Sequence, residues 1–430
     1  MSLASSSFNI AVIGSGISGL ACAYRLGQAG HRVTLYEAAD YFGGHTHTVD
    51  VTLGNHSYGV DTGFLVFNHQ TYPNLVSLFD ELKVETVPTE MTFSVKCALA
   101  KRTLEWSGDN LDTVFAQRRN LFSPEFFGML RDILRFNSQA TELATTLGHA
   151  DAQMSLGDFL DHYRFSKAFR EWYLLPMAGC IWSCPTAQML AFPVSTFAHF
   201  CHNHSLLQIT NRPQWWTVKA GARHYVDKLL AGIADKRLNT PVSAITRINE
   251  FGKNQVRVDS TSGQDLFDHV VLATHSDQSL KMLMDASPSE TQILSAVSYQ
   301  PNRAVLHTDS SCLPLETKTW SAWNYQSSIG SEPQVCVHYL INKLQPLPFK
   351  ESVIVSLNPI NAPDPAMIIA EFDYAHPAFD AAAIDAQRNL ELIQGQRNTW
   401  YAGAWTGYGF HEDGLKSGLA VAQAIARLKE

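Results

Sequence analysis

The sequence predicts an α/β fold in two parts, a discontinuous Rossmann-like dinucleotide-binding domain and a second α+β domain. Three observations carry this expectation. At 430 residues the chain is too long for one ordinary core and long enough for two. Its first stretch reads strand, glycine loop, helix, strand, in the order of one βαβ unit. Strand-type sequence then returns after a long helical interval, so the first domain is built from separate pieces of chain.

Taken in order, Phe8 to Ile13 is a continuous apolar run that breaks at Gly14-Ser15-Gly16-Ile17-Ser18-Gly19, ahead of a helix from Leu20 to Gln28. Gly30 ends that helix, and Arg32 to Tyr36 alternates as a strand with Glu37 at its end. Val49 to Val60 reads as a hairpin turning at Gly54-Asn55 and leading to Asp61-Thr62-Gly63. From about Thr71 to His204 the pattern is helical, with Phe122 to Phe136, Leu156 to Tyr173 and Ala187 to Phe200 as separate helices. Trp215 to Tyr225 holds a turn and a helix start, and Val242 to Ile245, Gln255 to Val258 and His269 to Thr274 read as a meander. Tyr299 to Glu371 alternates as an antiparallel sheet, Asp385 to Gln394 is helical, Thr399 to Ala404 is a strand, and Gly414 to Leu428 is the last helix. The expected division is 1–70, 215–280 and 395–430 for the cofactor domain and 71–214 and 281–394 for the substrate domain.

Composition removes several classes of function. Apolar residues at 45% and charged residues at 17% describe a chain with a large core rather than a disordered one. A net charge of −8 without a run of Lys or Arg lacks the footprint that phosphate-backbone binding needs, so no nucleic-acid partner is expected. No apolar stretch reaches the roughly 18 residues of a membrane span, and Met1 to Phe8 has no basic leader, so a cytoplasmic location is expected. Seven scattered cysteines point to reduced thiols. Cys180, Cys184, Cys201, His202 and His204 match no common zinc spacing, and no metal is expected.

The glycine loop carries the first chemistry. Gly14 permits the tight turn, Gly16 lets backbone approach a pyrophosphate, and Gly19 allows close helix packing, while the amides of Ile17 and Ser18 open a helix whose dipole favours an anion. Glu37 stands where a carboxylate accepts from ribose hydroxyls and disfavours a 2′-phosphate.

Further along, Tyr41-Phe42-Gly43-Gly44-His45 resembles the second signature of the amine oxidase and phytoene desaturase-like flavoprotein superfamily, in which the glycine pair passes close to FAD. Where that family usually carries Arg, this chain has His45, which offers one hydrogen bond but no bidentate fork. Asp61-Thr62-Gly63-Phe64 resembles the family's strand that reaches the flavin, Val270 to Thr274 its apolar strand ending in Ala-Thr, and Val242 falls at its adenine contact. Tyr401 to Gly407 with Gly403, and His411 to Gly418, resemble the motif that closes over the isoalloxazine. The resemblance implies FAD contacts from Gly63, Phe64, Thr274, Gly403 and Asp413, with the amides of Gly414 and Leu415 opening the last helix toward flavin N1 and O2. Covalent members carry a late Cys; here the last is Cys336, so a non-covalent FAD is expected.

The substrate side offers apolar surface. Phe122, Phe126, Phe127, Trp172, Trp182, Phe192, Phe197, Phe200, Trp215, Trp216, Trp320 and Trp323 are candidates for a greasy cavity, with Trp215, Trp216 and Trp405 expected nearest the flavin. Segments such as Gly179 to Ser183, Met189 to Pro193, Asn203 to Gln208 and Arg212 to Trp215 resemble a bacterial branch of FAD oxidoreductases associated with cyclopropane-fatty-acid-synthase-like methyltransferases. That likeness implies desaturation of a methylated fatty acyl chain, with a lipid substrate and transient contact with a membrane surface. Tyr408, His411 and Glu412 are the candidate bases by motif position. A flavin amine oxidase, a flavin-dependent isomerase and a non-catalytic flavin-binding protein are the other readings.

Overall fold

The computed structural model describes residues 7–146, 148–183, 185–208, 212–250, 252–328 and 335–428. A five-stranded, wholly parallel sheet runs in the order Asp235–Arg237, Arg32–Tyr36, Asn9–Ile13, His269–Leu272, Thr399–Tyr401. Both of its faces are covered, which is why its strands read as unbroken apolar runs. Ile10 and Val12 pack with Leu20, Tyr225 and Leu415 on one side; Ala11 and Ile13 pack with Trp182, Phe200 and Trp405 on the other.

His269–Leu272 is a strand of this parallel sheet, and not of the meander the sequence suggested; the antiparallel meander consists of Val242–Glu250, Lys253–Ser260 and Gly263–Phe267. A second, seven-stranded sheet has the order Ile368–Ala378, Ser298–His307, Ile354–Leu357, Cys336–Leu340, Trp323–Ser327, Phe93–Leu99, Arg102–Ser107. Its neighbours are antiparallel except Trp323–Ser327 against Phe93–Leu99. The last two strands, with Thr86–Thr89, correct the reading of 71–204 as helical throughout. Phe93–Leu99 and Arg102–Ser107 form a hairpin across Ala100 and Lys101, a turn without the Gly or Asn that would mark it in the sequence.

One expected helix is broken and another starts earlier. The run from Leu156 splits after Leu156–His162, where Arg164 turns left-handed at φ 52°, and the next helical stretch ends at Ser183, also φ 52°. The last helix is His411–Arg427 and starts three residues earlier than Gly414. It lies against the first helix, Ile17–Gln28, with glycine at the crossing: a Cβ on Gly418 would stand 2.1 Å from Ser18 O, and one on Gly414 3.0 Å from Ile17 Cγ2.

Candidate active site

Because the first and last helices cross near their beginnings, two helix amino termini lie side by side. The first intrahelical bonds are Leu20 N to Gly16 O and Gly414 N to Phe410 O. Ahead of them the amides of Ile17, Ser18 and Gly19, and of His411, Glu412 and Asp413, form two positive dipole ends. Gly414 and Leu415 are therefore not the opening amides: Gly414 bonds within the helix and packs on Ser18, and Leu415 is wholly buried in the core.

The glycine loop has a shape that follows its sequence. Gly14 has φ 98° and would press a Cβ to 2.7 Å from Ala273 O, beside Thr274, and Gly19 would press one to 1.9 Å from Gly14 O. Gly16 differs, since a Cβ there meets nothing within 4 Å. Gly44, with φ 58°, lies so near Gly16 that a Cβ on it would stand 3.1 Å from Gly16 Cα, and Gly43 N donates to Ser15 Oγ at 3.1 Å. Glu37 is aimed by Ser15 N at 2.9 Å, Ser15 Oγ at 2.5 Å and Ala39 N at 2.9 Å. The chain entering Val242 runs beside it, with Thr240 N donating to Glu37 O at 2.8 Å.

Beyond Gly44 the backbone pairs with the Asp61–Phe64 segment. Thr62 N donates to His47 O at 2.9 Å and Phe64 N to His45 O at 2.8 Å, so tightly that a Cβ on Gly63 would lie 2.2 Å from His45 O. Phe64 stacks on His411, ring centroids 3.9 Å apart, and His411 Nε2 shares a 2.7 Å hydrogen bond with Tyr225 Oη, which bonds Thr46 Oγ1 at 2.6 Å. Across from them one face of strand Ile368–Ala378 presents Phe372, Tyr374 and His376. Phe372 lies 4.6 Å from His47; Tyr374 and His376 lie 5.0 and 5.2 Å from His45. Asn302 Nδ2 donates to His376 Nδ1 at 2.8 Å, and His275 stacks on Tyr299 at 4.2 Å.

These imidazoles are neutral. Burial pushes His45 and His411 down to about 3 and His376 to about 4, and lowers His275, with the neighbouring rings adding to the effect on His45. Among the described residues none of these four pairs with a carboxylate. His45 Nε2 is buried without a hydrogen-bond partner, a donor or acceptor left over for a ligand.

Three residues take roles other than those their motif positions suggest. Glu412 accepts Asn74 N at 2.8 Å, Asn74 Nδ2 at 2.7 Å and Leu75 N at 3.0 Å, so it caps helix Pro73–Leu82 and is spent as a base. Trp405 is 2% exposed and donates Nε1 to Thr274 O at 3.3 Å; it fills the core under Gly403 and lines no substrate space. Asp413 Oδ2 accepts Phe410 N at 3.0 Å, a turn contact within its own helix end. Trp215 and Trp216 are half-buried on strand Trp215–Val218, Trp216 stacked on His69 at 5.1 Å and Trp215 edge-on to Tyr72 at 6.4 Å. Tyr408 lies 5.7 Å from Phe200, whose ring stacks on Phe410 at 4.8 Å.

The aromatic candidates disperse: Trp182, Phe192, Phe197 and Phe200 form the core behind Phe410, Trp320 and Trp323 sit in the second sheet's surroundings, and Phe122 is exposed. Cys184 lies outside the described residues, and Cys180 and Cys201 are buried thiols whose pKa burial raises. Sequence reasoning missed His275, Tyr374, His376 and Tyr225. The alternation Phe372, Tyr374, His376 in a strand, facing the pair His45 and His47, was the signal available.

These residues fit FAD. An open backbone at Gly16 under a free helix end suits a diphosphate, Glu37 a ribose, the orphan Nε2 of His45 a further polar group, and the amides of His411 to Asp413 an anionic ring edge.

Comparison with known proteins agrees. A family model for flavin containing amine oxidoreductase matches residues 17–426. The 1-hydroxycarotenoid 3,4-desaturase of Flavobacterium sp. is 37% identical over 83 residues, which cover 17% of this chain and 16% of that one. The 15-cis-phytoene desaturase of Synechococcus elongatus is 37% identical over 76 residues, 18% of this chain and 15% of its own. Both matches thus span about one-sixth of those relatives. A CLA-producing fatty acid isomerase from P. acnes (TM-score 0.68, 18% identity) and cyclohexylamine oxidase from Brevibacterium oxydans (0.68, 17%) share the fold over 98% of this chain and 99% of theirs. The chain belongs to the flavin-containing amine oxidoreductases and is an FAD-dependent enzyme of that family.

Proposed function

We propose that the enzyme removes a hydride from an apolar substrate, and that desaturation of a methylated fatty acyl chain is the reaction its site serves best. The supporting observation is the wall of uncharged rings, Phe64, Tyr374, His45, His376 and His411, set around the converging FAD motifs. A substrate ammonium would want a free carboxylate. Glu412 is held by Asn74 and Leu75, and Asp413 by Phe410. The local match to two carotenoid desaturases points the same way, toward oxidation at carbon.

Bound non-covalently, FAD supplies the hydride acceptor. The protein holds an allylic carbon in reach and keeps water from the cation left behind. A proton next to such a cation is strongly acidic, so a neutral imidazole of low basicity suffices to take it. His411, its Nε2 held by Tyr225 Oη at 2.7 Å, offers Nδ1 for that proton in its Nε2–H tautomer. Tyr408, its pKa raised chiefly by burial, keeps its hydroxyl proton and serves as wall.

The test is anaerobic mixing of the FAD-loaded enzyme with a phospholipid bearing a methylated, unsaturated acyl chain. Lasting loss of the flavin's visible absorbance, with a product lighter by one hydrogen molecule, is expected. Bleaching by cyclohexylamine or putrescine and not by the lipid would overturn the reading. A product of unchanged mass with a migrated double bond would replace it with isomerisation.

A further inference from the structure

His45 and His275 flank the glycine loop. Gly44, just before His45, lies against Gly16, and Thr274, just before His275, lies against Gly14. The two rings are 6.5 Å apart, and His376 reaches His45 from the second sheet at 5.2 Å. Three imidazoles thus gather beside the free amides that open the first helix.

A diphosphate diester is a dianion, of which a helix end offsets about half of one charge. Buried charge left uncompensated is costly. Facing His45 are Tyr374 and His376 from strand Ile368–Ala378, His275 from beyond the end of His269–Leu272, and His411 from the last helix. Among the described residues the arginines that stack on rings, Arg25, Arg135 and Arg237, do so elsewhere. The positive charge within reach is an imidazole that takes a proton.

Hydrogen bonds decide which imidazole. Asn302 Oδ1 accepts Asn358 Nδ2 at 2.7 Å, which turns Asn302 Nδ2 toward His376 Nδ1 at 2.8 Å. His376 therefore keeps its proton on Nε2, and a second one on Nδ1 would oppose the amide. His45 has no such lock, because its Nε2 is buried without a partner. The Tyr374 ring, 5.0 Å from His45 and fixed through its hydroxyl to Thr62 Oγ1 at 2.7 Å, favours a charged His45. Burial and the neighbouring rings push His45 down to about 3, and an adjacent dianion acts the other way.

We propose that His45 takes up a proton when FAD binds and, beside His376 as a fixed neutral donor, holds the cofactor's diphosphate. The complex then carries one more proton than its parts, so affinity rises as pH falls. The inference rests on the FAD site and not on which substrate is oxidised. Two carboxyl groups nearby titrate in the same range. Asp61, pushed up to about 7 by burial, is held by Thr48, Gln345 and the Ala222 amide; Asp413, pushed up to about 6 by burial, is held by Phe410 N. Asp277 bears on His275.

The test is titration of the full-length apoprotein with FAD at pH 6 and 8, with calorimetry at pH 7 in PIPES and in Tris, whose different ionisation heats count the protons exchanged. FAD should bind at least about tenfold tighter at pH 6, with net proton uptake. ADP-ribose, which has the diphosphate and no flavin, should show the same slope. His45→Gln, which can donate but not ionise, should abolish slope and uptake, and His45→Arg, charged throughout, should bind tightly at both pH values. His376→Gln should weaken binding and keep the slope. Melting midpoints show that each variant folds, and His45→Gln decides the case if the larger arginine does not fit. Equal affinity at both pH values, a slope that His45→Gln retains, one that Asp61→Asn or Asp413→Asn removes, or one seen with FAD and absent with ADP-ribose would each overturn the proposal.

Discussion

Glu412 holds the amino end of helix Pro73–Leu82, its two carboxylate oxygens accepting the amides of Asn74 at 2.8 Å and Leu75 at 3.0 Å. A residue that a motif places beside a flavin thus spends its charge on another helix's dipole. Glu412→Ala should lower stability by about 2 kcal/mol, since charged hydrogen bonds to a helix end are lost, and should change kcat less than about tenfold. Denaturant melts and steady-state kinetics measure both. A kcat collapse at an unchanged melting midpoint would return Glu412 to the chemistry.

Gly16 and Gly418 separate cofactor binding from packing. Alanine at Gly16 meets no atom within 4 Å, so Gly16→Ala should fold, at a cost of about 1 kcal/mol or less for a poorer helix cap, yet lose FAD affinity at least about tenfold where backbone must approach phosphate. At Gly418 the new Cβ would lie 2.1 Å from Ser18 O. The Gly418→Ala apoprotein should be destabilised by about 1–3 kcal/mol through overpacking. Equal loss of stability in both apoproteins, read by thermal melting, would contradict this division.

Much of this was legible because it is local. The βαβ unit declares itself through residues 8–37, where Gly14 takes a positive φ and Gly19 leaves no room for a Cβ against Gly14 O in the same loop. The parallel strand at His269–Leu272 was found, but its partner was not, since pairing with Asn9–Ile13 leaves no mark on either sequence. The site's second wall was illegible for the same reason. Tyr374 and His376 look like ordinary alternation until the sheet brings them to His45. Glu412 misled because its position matched a motif while its partners, Asn74 and Leu75, lie more than three hundred residues away.

Trp405 gives a contrast with the site's rings. Its indole donates to Thr274 O at 3.3 Å from a core position, so Trp405→Phe should cost about 1 kcal/mol in stability and leave KM unchanged. His45→Leu should do the reverse, sparing stability because Nε2 has no internal partner and weakening FAD binding. Titration of each apoprotein with FAD, beside its melting curve, decides whether the two effects separate in this way.

Within the seven-stranded sheet a directed chain of hydrogen bonds fixes two further histidines and makes the protein acid-sensitive. Asp309 N donates to His307 Nδ1 at 3.1 Å, so His307 carries its proton on Nε2 and gives it to Ser356 Oγ at 2.6 Å. The single Ser356 proton then goes to His338 Nδ1 at 2.6 Å, and His338 Nε2–H donates to Gln326 Oε1 at 2.8 Å. Every donor has an acceptor, and no position is left for another proton. Burial accordingly pushes His338 down to about 3 and His307 to about 4. Both folded values lie below the ordinary 6.5, so the unfolded chain binds more protons in the interval between them. The stability they contribute is complete above pH 6.5 and is lost as pH falls toward 4, at about 1.4 kcal/mol per pH unit for each ring. Melting midpoints should therefore drop from pH 6.5 to 4.5, and the drop should be shallower in His338→Gln. Ser356→Ala should destabilise at all pH values by stranding His307 Nε2–H and His338 Nδ1. Nitrogen-15 shifts showing either ring as the Nδ1–H tautomer, or charged at pH 6, would break the chain as drawn.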